Sequence, residues 1–515
     1  MGSFLVNLDA FATRQKWRAG LDVLELRMDS SVPNDVDIAF LTAGQCLEMF
    51  VDGRLTSLRL IKSLQERIAA LDEPSTEVAL RSIASLSADA LDVARERDEE
   101  RSRGELRGPL HGIPVLIKDN IEARGLPGLA GSSALVGRPS RDAPLVTRLR
   151  DAGAIVFGST NLSQWANIRS PRSTSGYSAT GGLVVNPWAL DRSAGGSSSG
   201  SGAALAAGFA PLAVGTETDG SIVCPASVNG VVGLKPTVGV VPSDFMVPIS
   251  ASQDSPGPMG RTVSDVALLY SVLSAQAPQQ FLHTPTFAVA SNWRTYHAQT
   301  DRLFDEVIGE LRDAGATIVE RELPIPGNEE YADERTVLFA ELLDDLGNYL
   351  EARPGEGVRS LSDVIAFEDE HFEEEQRFFE HENFLHAVAT GGRSGSVYPE
   401  ARSRNYAWAT ERCLGPGLEG VDALLSPAYG PSWKNDLTVG GHPAISSVAT
   451  TPSAIAGWPI MSLPIGLLQG LPVGMALMGR ANSEWLMLDA ARWIETVLRH
   501  RTDWTAPSFR GTQRF

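Results

Sequence analysis

The chain has 515 residues, 44 of them basic and 63 acidic, for a formal charge of −19. That balance argues against nucleic acid or an anionic membrane as the main partner, because both are bound through clustered Lys and Arg. At 43% hydrophobic and 21% charged it is an ordinary globular composition, and a chain this long buries enough surface to fold without disulfides or metals. Cys46, Cys224 and Cys413 are an odd number with no short spacing. They predict neither a disulfide framework nor a zinc knuckle, and a reducing compartment suits them. Residues 1–17 lack a basic stretch followed by an apolar one, so no signal peptide is expected. The apolar stretch 203–215 is shorter than the roughly 20 residues that cross a bilayer. The reading is a soluble, cytoplasmic protein.

Residues 1–36 are weakly patterned and are expected to form an N-terminal extension to one domain over 37–510. Thr56 is a good N-cap, and Leu58, Ile61, Leu64, Ile68 and Leu71 follow it at helical spacing. A second helix is predicted over about 87–101. Buried strands are predicted at 115–117, 155–157 and 212–214, separated by Gly, Pro and Ser clusters. Helix, strand, helix and strand then alternate at 264–273, 287–290, 301–314 and 317–320, which implies an α/β chain with a parallel or mixed sheet. The charged, strand-poor stretch 325–415 predicts a helical cap inserted between parts of that sheet. Strands return at 423–425, 461–464 and 473–478, and a last helix is expected over 484–498. The expected fold is one large α/β/α domain: a central mixed twisted sheet flanked by helices, with the cap inserted.

Three stretches carry chemistry. The run Ala194-Gly-Gly-Ser-Ser-Ser-Gly-Ser-Gly leads straight into apolar Leu205-Ala-Ala-Gly-Phe-Ala, which a flexible linker does not need. It reads as a fixed loop entering a small-residue helix, where glycines let other backbone approach. It lacks the Lys of a phosphate-binding loop. In Gly215-Thr-Glu-Thr-Asp-Gly-Ser-Ile-Val-Cys-Pro-Ala, small residues around Ser221 free its hydroxyl and point successive N–H groups at one spot, as an oxyanion site requires. In Gly108-Pro-Leu-His-Gly-Ile-Pro-Val-Leu-Ile-Lys-Asp-Asn, Lys118 ends an apolar run. A lysine at a strand end is most often a solvated charge, but a desolvated one gives up its proton and acts as a base.

Together these stretches resemble the amidase signature family, from about Leu106 to Val266, with Ala456-Gly-Trp-Pro-Ile-Met-Ser-Leu-Pro-Ile-Gly and Gly470-Leu-Pro-Val-Gly-Met matching as well. Within it, the motif around Ser221 looks most like that of bacterial peptide amidases, which deamidate C-terminal peptide amides. The resemblance implies a Ser–cis-Ser–Lys triad: Ser221 as nucleophile, Ser197 as bridging serine after a cis Gly196–Ser197 bond, and Lys118 as base. It also implies that Thr218, Asp219, Gly220 and Ser221 supply oxyanion donors. Ala166 and Asn167 become candidate pocket-wall residues, and Trp458 a further one, although a Trp beside Pro459 is more often core. No metal or organic cofactor is implied. The partners implied are a small-molecule or short-peptide amide, with the chain as a monomer or homodimer. Two positions depart from the family pattern: Asp219 replaces a usual Gly, and Val223 replaces a usual Arg. The Asp219 carboxylate is then free to hydrogen-bond a substrate amide or amine.

The chemistry is coherent, since a serine needs an adjacent base and a neutral lysine takes its proton through the second hydroxyl. The main alternative substrate is an anilide or aryl acylamide on the same scaffold, and a more distant reading is a non-catalytic amidase-like subunit. Gly196-Ser-Ser-Ser-Gly also fits a nucleophile elbow with Ser198 central, but that leaves Lys118 and Ser221 unexplained and offers only His442 as a late partner. Glu368 and His371 form a single E-x-x-H pair, where a di-iron bundle needs two, and the acidic run 368–382 reads as a solvated helix face. His111 reads as a structural hydrogen-bond partner, and Cys224 as a small buried residue.

Overall fold

Apolar runs with no polar alternation make strands that need cover on both faces. The computed structural model describes residues 38–511, apart from 138–139, 282, 296, 441–446, 503–506 and 508. It contains Ile83–Leu86 (β1), Pro114–Lys118 (β2), Ile155–Thr160 (β3), Leu212–Glu217 (β4), Val232–Lys235 (β5) and Ser255–Gly260 (β6). After these come Thr286–Ala290 (β7), Thr317–Arg321 (β8), Ala423–Pro427 (β9), Ile460–Leu468 (β10) and Leu471–Met478 (β11). All eleven form one sheet in the order β1-β3-β2-β4-β6-β5-β10-β11-β9-β7-β8. β2 runs parallel to β3 and β4, and β7 runs parallel to β8 and β9. The strands from β4 to β9 in that order are successively antiparallel, so the sheet is mixed as expected. Every residue of β2, β3 and β4 is buried.

Helices flank the sheet. Ser57–Leu71 starts where the sequence indicates: Thr56 Oγ1 accepts from Arg59 N at 3.1 Å, and Leu60, Ile61, Leu64 and Ile68 are buried. The next helix, Ala90–Ser102, begins later than expected, because β1 takes 83–86 and Ser87 Oγ donates to Asp89 in the turn. The hairpin β10–β11 closes on Gln469 and Gly470, both with positive φ, as a two-residue turn of matching twist requires.

Between β8 and β9 lie the expected cap helices, Asn328–Ala352, Leu361–Glu370, Glu382–Thr390 and Tyr398–Ala407, followed by a π-helical turn over Trp408–Leu414. β1, β5 and β6 are strands that the sequence reading does not anticipate. β6 is Ser-Pro-Gly-Pro-Met-Gly, and prolines argue against an internal strand because they lack the ladder donor. Glycine makes room for it: a Cβ on Gly257 would stand 2.1 Å from the Leu234 carbonyl oxygen of β5. The expected 1–36 extension lies outside the described residues. No helix among the described residues is long and apolar enough to cross a membrane.

Candidate active site

β2 and β4 pair in parallel with Ile117 opposite Val214, so Lys118 ends its strand at the level of Gly215, one residue before Thr216. Lys118 Nζ donates to Ser197 Oγ at 2.8 Å, to Thr216 Oγ1 at 2.8 Å and to the Thr216 carbonyl at 3.2 Å. Neither Lys118 nor Ser197 has any exposed surface. Burial lowers the ammonium from 10.5 to about 7, even though the Asp254 and Glu217 carboxylates pull it up. The lysine is thus the desolvated kind.

The Ser/Gly run is fixed. Gly196–Ser197 is cis, and the small-residue helix is Ser199–Ala206. A Cβ on Gly200 would meet the carbonyl oxygens of Ser82 and Asn161 at 2.3 and 2.4 Å, so the glycine serves close backbone approach. Ser198 Oγ donates to the Thr216 carbonyl at 3.1 Å and accepts from Thr216 N at 3.2 Å. That hydroxyl is buried and occupied, unlike a nucleophile at an elbow. Ser198 N donates to the Ser221 carbonyl at 3.1 Å, which sets the two serine loops against each other. His442 lies outside the described residues.

Ser221 follows Gly220, whose φ of 76° suits glycine best. Glu217 holds the far side of this turn, its Oε2 accepting from Ile222 N at 2.6 Å and Val223 N at 2.9 Å. Ser221 is 9% exposed, and its hydroxyl makes no hydrogen bond among the described residues. The N–H groups of Asp219, Gly220 and Ser221 likewise have no acceptor there. Thr218 Oγ1 donates to Asp254 at 2.5 Å. The Asp219 carboxylate is less free than the sequence suggests. It accepts from Thr451 Oγ1 at 2.7 Å and lies against Glu334 of the cap, and burial raises both acids above the usual carboxylate range.

Ala166 lines a narrow apolar cleft with Trp165, Val247, Ile249, Leu346 and Phe384, and Asn120 is at its wall. Asn167 is next in the chain, with a buried Oδ1 that has no partner among the described residues. Trp165, Ala166 and Asn167 all have positive φ, at 50°, 52° and 77°. Two acids of the cap hold this unusual turn. Glu368 accepts from Trp165 Nε1 at 2.9 Å, pairs with His381 at 2.9 Å and faces Arg169 at 3.5 Å. Glu375 accepts from Gln164 Nε2 at 2.5 Å, Ser132 Oγ at 3.0 Å and Ser133 N at 2.7 Å. Asp369, Glu370, Glu373, Glu374 and Glu380 of the acidic run are exposed, as expected of a solvated face, but Glu368 and Glu375 depart from it and are fully buried among donors from the core. His371 stacks on Phe367 with ring centres 4.0 Å apart. No metal-holding cluster occurs among the described residues.

His111 hydrogen-bonds the Arg97 carbonyl at 2.9 Å and accepts from Arg107 N at 3.2 Å, as a structural partner. Cys224 is buried, its thiol pushed up to about 12. Trp458 packs on the core cluster of Ala449, Ile455 and Ile460 and is absent from the cleft lining. Thr216 and Asn120 are site residues that the sequence reading missed. Asn120 stands two residues beyond Lys118 in the turn that Ile121 N closes on the Lys118 carbonyl at 3.0 Å, so its place next to the lysine was in the motif itself.

The family model described as Amidase matches residues 59–488. The chain belongs to that family. This amidase is 39% identical to the native peptide amidase from Stenotrophomonas maltophilia, with a TM-score of 0.82 over 91% of this chain and 98% of the other. It is 34% identical to a probable amidase of Arabidopsis thaliana, over 87% of this chain and 89% of that one. It is also 32% identical to a glutamyl-tRNA(Gln) amidotransferase component of Symbiobacterium thermophilum, over 89% of this chain and 97% of that one. As an amidase the chain is a hydrolase of amide bonds.

Proposed function

We propose that this amidase removes the terminal carboxamide nitrogen of short peptide amides as ammonia, through a serine acyl-enzyme. The contact that carries the mechanism is Lys118 Nζ to Ser197 Oγ at 2.8 Å, made by an amine whose burial leaves it neutral above about pH 7. The peptide amide as substrate class rests on the likeness to the Stenotrophomonas maltophilia enzyme.

Ser221 Oγ attacks the carboxamide carbon, its proton passing to Ser197 Oγ as the Ser197 proton passes to Lys118. The carbonyl oxygen takes up the negative charge, facing the N–H groups of Thr218, Asp219, Gly220 and Ser221. When the C–N bond breaks, the proton returns from Lys118 through Ser197 to the leaving nitrogen, which departs as ammonia. Water then attacks the Ser221 ester by the same proton route and releases the carboxylate. Ala166 and Asn167 border the acyl group in this reading.

The test is ammonia release from an N-acylated dipeptide amide by the wild type and Ser221→Ala. Release by the wild type alone is the expected result. Release by neither, with arylamine freed from an anilide, would replace the substrate class and keep the mechanism. Equal release by both would refute Ser221 as nucleophile.

A further inference from the structure

Asn120 is 2% exposed and stands at the wall of the otherwise apolar cleft. One end of its amide is occupied: Nδ2 donates to Thr216 Oγ1 at 3.0 Å, the same hydroxyl that accepts from Lys118 Nζ. Its backbone is pinned as well, the Asn120 carbonyl accepting from Val247 N at 2.8 Å. The other end, Oδ1, is buried and has no hydrogen-bond partner among the described residues. Buried acceptors are nearly always paired, and an unpaired one costs stability. An unpaired one in an apolar cleft fits a group kept for a ligand, because a few placed polar atoms fix orientation in such sites.

Oδ1 takes a donor and rejects another acceptor, and the cleft around it takes an apolar group. The Nδ2–Thr216–Lys118–Ser197 chain of contacts ties the amide to the proposed proton relay, which places this acceptor beside the acyl part of the substrate. The group that fits is the N–H on the α-carbon of an N-acylated amino acid amide with an apolar side chain. We infer that Asn120 is a specificity-determining residue whose Oδ1 accepts this α-N–H, so that the enzyme distinguishes amino acid amides from acyl amides that lack it. The inference rests on the peptide-amide reading and goes beyond it.

The test compares N-acetyl-leucinamide with its isostere in which an ester oxygen replaces the N–H, O-acetyl-leucic amide. Ammonia release is measured from both. For the wild type the ratio of kcat/KM, N–H over ester, is expected to be about tenfold or more, the worth of one buried hydrogen bond. In Asn120→Leu the ratio is expected to fall to about one. Any loss common to both substrates, from freeing Thr216, leaves the ratio untouched, so a merely structural role does not move it. Asn120→Ala, checked for a native melting transition, serves if the Leu variant does not fold. A wild-type ratio near one, or a ratio kept in the folded variant, overturns the inference. Release from neither substrate by the wild type refutes the peptide-amide reading, and this inference falls with it.

Discussion

Replacing Lys118 by Met tests whether this lysine is held uncharged for catalysis at the expense of stability. The fold takes the amine from 10.5 to about 7, and at about 1.4 kcal/mol per tenfold of proton affinity that makes about 5 kcal/mol. Against it stand the hydrogen bonds to Ser197 and Thr216, each worth about 1 kcal/mol net. Methionine is therefore expected to leave the protein about 2 kcal/mol more stable at pH 6, a rise of a few degrees in Tm. The sign with pH is fixed. The unfolded chain binds this proton more tightly, so the penalty is full below about 7, shrinks as pH rises, and is gone above 10.5. The stability advantage of the variant should shrink in step between pH 7 and 10. The same value governs turnover, because only neutral lysine accepts a proton. Wild-type kcat/KM for ammonia release should rise about tenfold per pH unit up to about 7 and then level, lying about 100-fold below its plateau at pH 5. Lys118→Met should show no turnover. A flat wild-type profile from pH 5 to 9, or a variant that melts below the wild type at pH 6, would refute the reasoning.

Glu368→Ala leaves Arg169, which has no exposed surface, facing a cavity in place of a carboxylate. Breaking such a buried pair costs about 3–5 kcal/mol, so Tm should fall by several degrees, and replacing Arg169 by Met as well should recover part of the loss. Gly220→Ala puts a side chain at φ 76° and a Cβ 3.0 Å from the Tyr429 hydroxyl. With the turn displaced, kcat should fall by about 100-fold with little change in KM, as for the loss of one oxyanion donor. Glu334→Gln relieves the pair with Asp219. Both acids are raised by burial, so their contribution to stability is lost as pH rises, and the variant should gain more in Tm at pH 8 than at pH 5.

The central strands and most helices were legible because burial on both faces writes an apolar run, as in Val115 to Ile117, and because caps such as Thr56 are local signals. β6 was not, since its prolines and glycines spell a loop and only the approach of Leu234 explains them. The Lys118–Ser197 contact followed from motifs carrying a family resemblance, but Thr216 lies under both and has no signature of its own. Glu368 and Glu375 escape a sequence reading because charge in a row looks like a solvated helix. Their partners, Trp165, Arg169 and Gln164, come from roughly two hundred residues earlier, a pairing that no local pattern announces.

The cap leaves the sheet after β8 and returns at β9, and both strands border β7. Because the three strands are parallel, the chain leaves at the far end of β8 and returns at the near end of β9, about two strand spacings across and three residues along, roughly 15 Å in all. A segment joined to one edge of the sheet at only two points is a cassette that a lineage can rewrite without disturbing the rest, and the cleft wall of Leu346 and Phe384 would change with it. The buried acids make that exchange conditional. A foreign cap lacking carboxylates at 368 and 375 would leave the buried Arg169 without its counter-charge and the Trp165 indole and Gln164 amide without acceptors, so it would have to arrive together with a rewritten 164–169 turn.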